Sequence, residues 1–310
     1  MVDKVEKIWM DGSFVNWDEA NVHILTHTLH YGVGAFEGIR SYLRPDGTSV
    51  VFRLDEHIQR LLDSLKIVML KSPFDRETLA RACVESLQIN RLPEGYVRPL
   101  AYVGDGAMGL YAPNNPVRVA IIVWKWGAYL GEEALNKGIR AKVSSFSRHY
   151  VNSSMVKGKI VGYYVNSILA KREAKIAGYD EGIMLDTNGY VSEGSGENIF
   201  LVKNGTIKTP PFSSAILGGL TRDSIIRLAR DLGYRVKPQQ FTRDEMWLAD
   251  EVFMTGTAAE ITPVVEIDNR TIGTGVPGPV TKAVQKRFFD VVRGHCRDYE
   301  SWMTPYTVIA

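Results

Sequence analysis

The sequence lacks several features that mark specialised classes of protein. It contains two cysteines, Cys83 and Cys296, in 310 residues. Two cysteines this far apart form neither a disulfide framework nor a metal-binding cluster, and we expect both to be reduced thiols. No apolar run approaches the roughly 18–20 residues that cross a bilayer. The N-terminal stretch 1–12 has scattered charges in place of the apolar core of a signal peptide, which predicts a cytoplasmic protein.

An excess of charge of one sign is also missing. The 37 basic residues nearly balance the 35 acidic ones, and the net charge of +2 predicts neither a nucleic-acid partner nor an anionic membrane. His23, His27 and His30 have no matching cysteine or carboxylate set, so we expect structural histidines and no metal. Neither a GxGxxG fingerprint nor a GxxxxGK[ST] loop occurs. The expected ligand is a small molecule, and any phosphate must bind at another kind of site.

The order of the predicted elements indicates the fold class. A chain of this length suggests two domains. Strands and helices mix without regular βαβ alternation, which predicts an α+β fold. The segment 126–137 interrupts the strand pattern with small and polar residues. We therefore predict a small N-terminal α/β domain (1–125), an interdomain loop (126–137) and a large C-terminal domain (138–310).

Local signals place several turns and helix ends. Asp11-Gly12 between apolar residues predicts a hairpin. Asp55 is predicted to cap a helix that runs to about residue 71, and Asp75 is predicted to precede the next helix. Thr242 and Glu245 have the spacing of a capping box.

Two lysines lie ahead of a predicted helix. A lysine binds a carbonyl compound covalently only when its amine is partly unprotonated, which requires burial or a nearby cation. The apolar residues after Lys159 favour its burial, whereas Lys157 lies in a polar stretch and is expected to be more exposed. Each lysine taken alone is equally compatible with an ordinary surface position.

Three glycine-rich segments add candidate binding groups. The turn 217–220 leads directly into an amphipathic helix, and the N–H groups and dipole at a helix N-terminus favour a phosphate. The segment 255–260 repeats the combination of small and hydroxyl residues after a strand. Glu193, in the segment 189–200, would need a partner such as a protonated ring nitrogen if it were buried. The alternatives are a simple Thr221 cap and an exposed acid at a turn.

Seven segments together carry a family resemblance. In chain order they are YGVGAFEGIR (31–40), RPLAYVGDGAMGL (98–110), WGAYLGEEAL (126–135), the Lys159 segment, GYVSEGSGENIF (189–200), LGGLTRD (217–223) and FMTGTAAEITPV (253–264). From about residue 7 to about residue 290 the chain resembles the class IV, fold type IV, pyridoxal-phosphate aminotransferases. Within that class it is similar to the bacterial and archaeal branched-chain amino-acid aminotransferases.

This resemblance implies the cofactor pyridoxal 5′-phosphate and transamination of leucine, isoleucine or valine with 2-oxoglutarate. The implied products are branched-chain 2-oxo acids and L-glutamate. Lys159 matches the catalytic lysine that binds the cofactor and moves the α-proton, and Glu193 matches the acid that pairs with its ring nitrogen. The other implied cofactor-binding residues are Arg60, Tyr164, Leu217, Gly219, Leu220, Thr221, Gly256 and Thr257. The implied substrate-binding residues are Tyr31, Phe36, Gly38, Tyr96, Arg98, Met108, Leu110, Trp126, Tyr129, Thr257 and Ala258.

The resemblance also implies self-association. Residues 107–110 match a loop that reaches a neighbouring subunit's site, which implies a homo-oligomer, either a dimer or a larger assembly such as a hexamer.

Several alternatives remain open. A D-amino-acid aminotransferase, an (R)-amine transaminase or an aminodeoxychorismate lyase would keep Lys159 and Glu193 and change the pocket. Tyr31, Tyr96 and Arg98 favour the branched-chain interpretation. A non-catalytic binding protein would lose the lysine or the phosphate site, and a cofactor-free lysine enzyme such as an aldolase would leave Glu193 without a purpose.

Overall fold

The computed structural model describes residues 2–127 and 131–308. The α-helices are α1 (His27–Tyr31), α2 (Leu54–Ile67), α3 (Arg76–Ile89), α4 (Glu132–Lys137), α5 (Tyr164–Ile176), α6 (Leu220–Asp231), α7 (Arg243–Trp247) and α8 (Pro279–Val292). Short 3-10 turns lie at Trp17–Glu19, Val161–Tyr163 and Glu300–Trp302. Tyr129, predicted to contact the substrate, lies outside the described residues.

The strands are short, and most are joined by tight turns. In chain order they are β1 (Lys7–Met10), β2 (Ser13–Asn16), β3 (Gly34–Phe36), β4 (Ile39–Leu43), β5 (Ser49–Phe52), β6 (Gly95–Val103), β7 (Val117–Trp124), β8 (Ile139–Val143), β9 (Glu181–Leu185), β10 (Val191–Gly194), β11 (Asn198–Lys203), β12 (Thr206–Thr209), β13 (Arg235–Pro238), β14 (Glu251–Gly256), β15 (Glu260–Ile267), β16 (Arg270–Thr271) and β17 (Met303–Tyr306). The mixture of helices with strands confirms the predicted α+β class.

The chain divides into two compact units. Unit 1 comprises residues 1–126, 158–163 and 290–310, and unit 2 comprises residues 127–157 and 164–289. The short segment 158–163 and the C-terminal segment thus belong with the N-terminal part of the chain. The domain limits that the sequence suggests, 1–125 and 138–310, stay a prediction.

Unit 1 is built on an antiparallel sheet with the order β17-β5-β4-β6-β7-β1-β2, and β3 pairs with β6. The helices α2 and α3 supply the inward side chains Ile58, Leu61, Leu65, Leu79 and Leu87, which are almost completely buried in one core. Their spacing along each helix is that of a single apolar face. This packing fixes α2, on which His57 and Arg60 lie, against the sheet.

Unit 2 is built on a mixed sheet with the order β10-β9-β8-β15-β14-β11-β12-β13, and β16 pairs with β15. The pairs β8–β9, β8–β15 and β12–β13 are parallel, and the other pairs are antiparallel. The pairing of β9 with β10 shifts register between Val191 and Glu193. Such an irregularity re-aims side chains, and here it lies beside a predicted site residue.

The locally encoded turns and caps agree with the sequence. Asp11 and Gly12 connect β1 to β2 with positive φ at both residues. The Asp75 carboxylate accepts a hydrogen bond from Thr78 N (2.8 Å) at the start of α3, and Thr242 with Glu245 forms a capping box on α7. These features depend only on neighbouring residues, which is why the sequence shows them.

The predicted cap of α2 is wrong. The helix begins at Leu54, with Arg53 in the cap position at φ 51°, and it ends at Ile67. Asp55 therefore lies in the first turn of the helix. In this left-handed conformation the Arg53 N–H donates to the Trp302 carbonyl (2.6 Å), and the Arg53 side chain packs over the Trp302 ring and pairs with Glu56 (2.9 Å). Within the described residues, no helix combines the length and the hydropathy that crossing a membrane requires.

Candidate active site

The predicted catalytic lysine lies in unit 1 beside β3. The backbone N–H of Lys159 donates to Ser64 Oγ (3.0 Å), and its carbonyl accepts from the N–H of Phe36 (3.1 Å). The next residue, Ile160, is buried and bridges to Ala35. The Lys159 side chain is partly buried, with Nζ 4.8 Å from the centre of the Phe36 ring. The structure therefore holds this lysine at both backbone groups and places its amine over an aromatic ring.

Most of the predicted substrate residues of unit 1 lie in one aromatic cluster. The Arg98 guanidinium lies 4.7 Å from the ring centre of Phe36, 5.5 Å from that of Tyr96 and 5.6 Å from that of Trp124. The Tyr96 and Trp126 rings meet edge to face at 4.5 Å. Arg98 Nε is buried and has no hydrogen-bond partner among the described residues. The cluster therefore combines apolar ring surface with a cation that can still accept an anionic partner.

Gly38 fits this cluster only because it has no side chain. An ideal Cβ at Gly38 would stand 1.8 Å from the Tyr96 hydroxyl oxygen. The pairing of β4 with β6, in which Ile39 lies opposite Val97, brings these two residues together. Close approach of a side chain to the backbone is a common reason for glycine in a strand region.

The loop 107–110 is fastened to α1. The Gly109 N–H donates to the Tyr31 hydroxyl (3.1 Å), and His27 Nε2 donates to the Gly109 carbonyl (2.8 Å). Leu110 is 92% exposed, although it is apolar, and Met108 is 43% exposed. Tyr31 thus meets the loop backbone, and the loop presents its apolar side chains to the surroundings.

Arg60 is held by a buried carboxylate that the sequence did not indicate. Glu37 is fully buried and accepts from Arg60 Nε (2.7 Å), Arg60 Nη2 (2.8 Å) and His57 Nδ1 (2.7 Å). Burial alone would raise the pKa of Glu37, but Arg60 and His57 together hold it well below its usual range. Burial also lowers the pKa of His57 despite this carboxylate, to which His57 donates from Nδ1. The Arg60 side chain is only 14% exposed, so Arg60 is a partly buried member of this ion pair.

Glu193 lies in unit 2 and is buried among polar groups. Its Oε2 accepts from the Leu217 N–H (3.0 Å) and from Asn198 Nδ2 (3.1 Å). Its Oε1 lies 2.8 Å from Arg148 Nε, which is an ion-pair distance, but the two atoms are not aligned as a hydrogen bond. Burial raises the pKa of Glu193, and Arg148 opposes this effect. The alternative of an exposed turn acid is excluded by its 4% exposure.

Asn198 connects Glu193 to the predicted phosphate turn. Its Nδ2 also donates to the Leu217 carbonyl (2.9 Å), and its Oδ1 would be 2.0 Å from a Cβ at Gly219. Gly219 caps α6, whose first two residues are Leu220 and Thr221. The first N–H groups of a helix have no acceptor within the helix itself, so they can donate to a bound phosphate. Sequence reasoning missed Asn198, although an asparagine that begins an otherwise apolar strand is a signal.

The remaining predicted residues of unit 2 lie at ends of elements. Gly256 ends β14, Thr257 and Ala258 follow in the turn to β15, and Tyr164 begins α5. Arg148, which sequence reasoning also missed, donates to Ser167 Oγ (3.0 Å) besides its contact with Glu193. Lys157 is not exposed as expected, since its side chain is half-buried with its amine held by backbone carbonyls.

Residues 34–267 match the model of the amino-transferase class IV family. A branched-chain-amino-acid aminotransferase from Pseudomonas aeruginosa is 48% identical over 304 residues, which cover 98% of each chain. The crystal structure of the Escherichia coli branched-chain amino acid aminotransferase superposes with a TM-score of 0.95 at 47% identity, covering 97% of this chain and 99% of that one. The branched-chain amino acid aminotransferase from Thermobaculum terrenum, in its PLP-bound holo form, gives a TM-score of 0.91 at 33% identity, covering 97% of this chain and 98% of that one. The fold is therefore that of fold type IV, as the sequence suggested.

Proposed function

Because the chain belongs to the class IV aminotransferases, we propose that it moves the amino group of L-leucine, L-isoleucine or L-valine to 2-oxoglutarate. The observation that carries this proposal is the position of Arg98 among Phe36, Tyr96 and Trp124. The rings suit a branched apolar side chain, and the guanidinium suits the distal carboxylate of glutamate or 2-oxoglutarate. One cluster can thus serve both substrates of the exchange.

The cofactor is pyridoxal 5′-phosphate, which when bound draws electrons from the α-carbon so that its proton can leave. The residues present fit this group. Glu193 Oε1 is buried and lies 2.8 Å from Arg148 Nε without the alignment of a hydrogen bond, so a protonated ring nitrogen would supply the missing donor. Arg60 and the N-terminus of α6 offer the donors that a phosphate requires.

We assign the individual roles as follows from the chemistry of each group. Lys159 Nζ takes the α-proton and returns it, because a single amine can act first as base and then as acid. Glu193 holds the ring nitrogen and Tyr164 the ring oxygen. The phosphate group is bound by Arg60, Leu217, Gly219, Leu220, Thr221, Gly256 and Thr257. The substrate is bound by Tyr31, Phe36, Gly38, Tyr96, Arg98, Met108, Leu110, Trp126, Tyr129, Thr257 and Ala258.

Assembly and location form part of the same proposal. The exposed apolar side chains of Met108 and Leu110 support a homo-oligomer, at least a dimer, in which this loop contacts a neighbouring subunit. The buried free thiols of Cys83 and Cys296 support a reducing compartment, the cytoplasm.

An absorption spectrum of the purified protein tests the activity directly. We expect a visible cofactor band that L-leucine bleaches and that D-leucine leaves unchanged. 2-Oxoglutarate should restore the band. The Lys159→Ala variant should bind cofactor without turnover, and full turnover by that variant would refute the assigned role. A band that responds only to D-amino acids or (R)-amines would refute the branched-chain substrate and indicate a D-amino-acid or (R)-amine transaminase.

A further inference from the structure

Lys157 is enclosed by backbone carbonyls in unit 2. Its Nζ donates to the carbonyl oxygens of Phe212, Ser214 (2.8 Å) and Ile216 (2.9 Å). The same amine lies 4.3 Å from the centre of the Phe212 ring. An ammonium group has three hydrogens to donate, and here three carbonyls accept them. We call this set of three carbonyls and one ring the carbonyl cage.

The carbonyl cage belongs to the loop that leads into α6. Residues 210–219 join β12 to α6 and end with Leu217 and Gly219, two of the residues that we assign to the cofactor. The other side of this loop is tied to β10 and β11. Ser192 Oγ donates to the Ala215 carbonyl, Glu193 accepts from Leu217 N, and Asn198 donates to the Leu217 carbonyl (2.9 Å).

The outer end of this loop is exposed, whereas Ser214, Ala215 and Ile216 are buried. Phe212 is 59% exposed, and the residue that follows is also exposed. Inside the loop, Ser214 N donates to the Pro211 carbonyl (2.9 Å) and Ile216 N donates to the Ser214 carbonyl (2.8 Å). Carbonyls brought to one point repel each other unless a cation lies between them, so the ammonium stabilises this arrangement.

The interaction is electrostatic and also desolvated. Burial lowers the pKa of Lys157, whereas the charge of Glu193 opposes this effect. Carbonyl oxygens together with an aromatic face are the ligand types that bind potassium and ammonium ions in proteins. The lysine side chain therefore occupies a position that a free monovalent cation could fill.

We propose that Lys157 is a positioning residue whose ammonium acts as a tethered monovalent cation, holding the loop 210–219 in the conformation that binds the cofactor phosphate. A shortened side chain at this position leaves a cage that free ammonium or potassium enters. The effect on cofactor retention rests on the proposed function, whereas the effect on the loop does not.

The test measures cofactor release from the Lys157→Ala holoenzyme at constant ionic strength. In tetramethylammonium chloride, a cation too large for the carbonyl cage, release should be at least about tenfold faster than from the wild type, as expected for lost hydrogen bonds to a charged group. Ammonium chloride, and potassium chloride to a lesser degree, should slow the release toward the wild-type rate. The wild type should release cofactor at the same rate in all three salts.

A matched variant and a second readout separate the possible outcomes. Lys203 also donates to a backbone carbonyl, Leu248 O (2.6 Å), but it pairs with Asp250 at the surface. Lys203→Ala should therefore behave as the wild type in every salt. Hydrogen exchange of residues 210–219 in the full chain should rise in Lys157→Ala and fall again with ammonium, whether or not cofactor is bound.

Two results would overturn the proposal. One is a Lys157→Ala enzyme that keeps its cofactor as the wild type does. The other is faster release and exchange that ignore the choice of cation, which would indicate an ordinary packing role. If the wild type bound no cofactor at all, the proposed function would fail. The response of hydrogen exchange to the choice of cation would still test whether Lys157 holds the loop 210–219.

Discussion

The hydroxyl of Tyr96 occupies the space in which a side chain at Gly38 would begin, with 1.8 Å between that oxygen and an ideal Cβ. Tyr96 in turn contacts the rings of Trp124 and Trp126 and lies beside Arg98. A methyl group at residue 38 would therefore have to displace a tyrosine that three other side chains hold in place. The backbone at Gly38 thus determines where one wall of the substrate cluster stands.

Gly38→Ala should weaken substrate binding more than cofactor binding. We expect kcat/KM for L-leucine to fall at least about tenfold, because small displacements within a positioned site cost this much or more. Steady-state kinetics with a parallel cofactor titration would measure it. Adding Tyr96→Phe to Gly38→Ala should restore only part of the lost kcat/KM. The ring carbon Cζ of residue 96 would still lie 2.7 Å from the new Cβ at residue 38. An unchanged KM for leucine in Gly38→Ala would contradict the assigned contact.

Arg98→Met should separate the two substrates. Loss of a charge-assisted carboxylate contact costs about 1.5–3 kcal/mol, which corresponds to roughly tenfold to hundredfold in binding of 2-oxoglutarate and glutamate. Leucine should lose much less, because it has no distal carboxylate. Half-reactions followed by cofactor absorbance would measure each side. Arg118→Met, which removes a surface arginine paired with Asp11, is the control and should change neither half-reaction.

Glu37→Ala should destabilise unit 1 and weaken cofactor binding. Removing one partner of a buried ion pair costs about 3–5 kcal/mol, because the remaining charge stays buried without compensation. Arg60 would then lose the carboxylate that orients it. Glu37→Gln keeps the shape and one acceptor oxygen, so it should lose less stability than Glu37→Ala in urea unfolding. If both variants unfolded at the wild-type urea concentration, Glu37 would have no such role.

Glu197→Gln should change how stability depends on pH. Burial, and next the neighbouring carboxylate of Glu181, raise the pKa of Glu197 from 4.5 to about 8. The folded protein therefore binds this proton between about pH 4.5 and pH 8, where the unfolded chain has released it, and stability falls as the pH rises through this range. Glu197→Gln has no carboxyl group to titrate at this position, so it should not show this decrease in stability.

Thermal unfolding between pH 5 and pH 9 would measure the difference. The unfolding temperature of Glu197→Gln should rise relative to the wild type as the pH increases to about 8, and the difference should then level off. The surface variant Glu133→Gln should not show this rise. Parallel curves for Glu197→Gln and the wild type would mean that Glu197 titrates normally.

Leu110→Asp should weaken self-association. The 92% exposed side chain of Leu110 is available for burial by a neighbouring chain, and a carboxylate could not be buried there without a partner. Sedimentation or light scattering should show a smaller species or a dissociation at higher protein concentration. Met69, which is 93% exposed, provides the matched control, and Met69→Asp should leave the mass unchanged. An unaltered assembly in Leu110→Asp would place the contact elsewhere.

The local parts of the fold could be predicted from the sequence because their causes are local. The hairpin at Asp11-Gly12, the cap at Asp75 and the capping box at Thr242 depend on residues within four positions of one another. The cap of α2 could not be predicted, because Arg53 is held in its left-handed conformation partly by Trp302, about 250 residues away in the sequence.

The candidate site divides in the same manner. Its motifs are contiguous runs of residues, and from them the sequence predicts Lys159, Glu193 and Thr221 as site residues. The supporting residues Glu37, Arg148 and Asn198 could not be predicted in this way, because strand order and helix packing bring them to their partners. Lys157 was misjudged because its polar neighbours in sequence do not reveal the three carbonyls that surround its amine.

The amide of Asn198 offers a way to distinguish functional sequences from decayed ones. Its Nδ2 has two hydrogens, and both are committed, one to Glu193 and one to the Leu217 carbonyl. An aspartate at this position would differ from asparagine by a single heavy atom. It would place a second carboxylate beside that of Glu193 and would donate no hydrogen bond to the Leu217 carbonyl. A gene copy that keeps codons for Lys159 and Glu193 but specifies aspartate at 198 should encode a folded protein without a usable cofactor site. Retaining both Glu193 and Asn198 is therefore a stricter requirement for a usable cofactor site than retaining Glu193 alone.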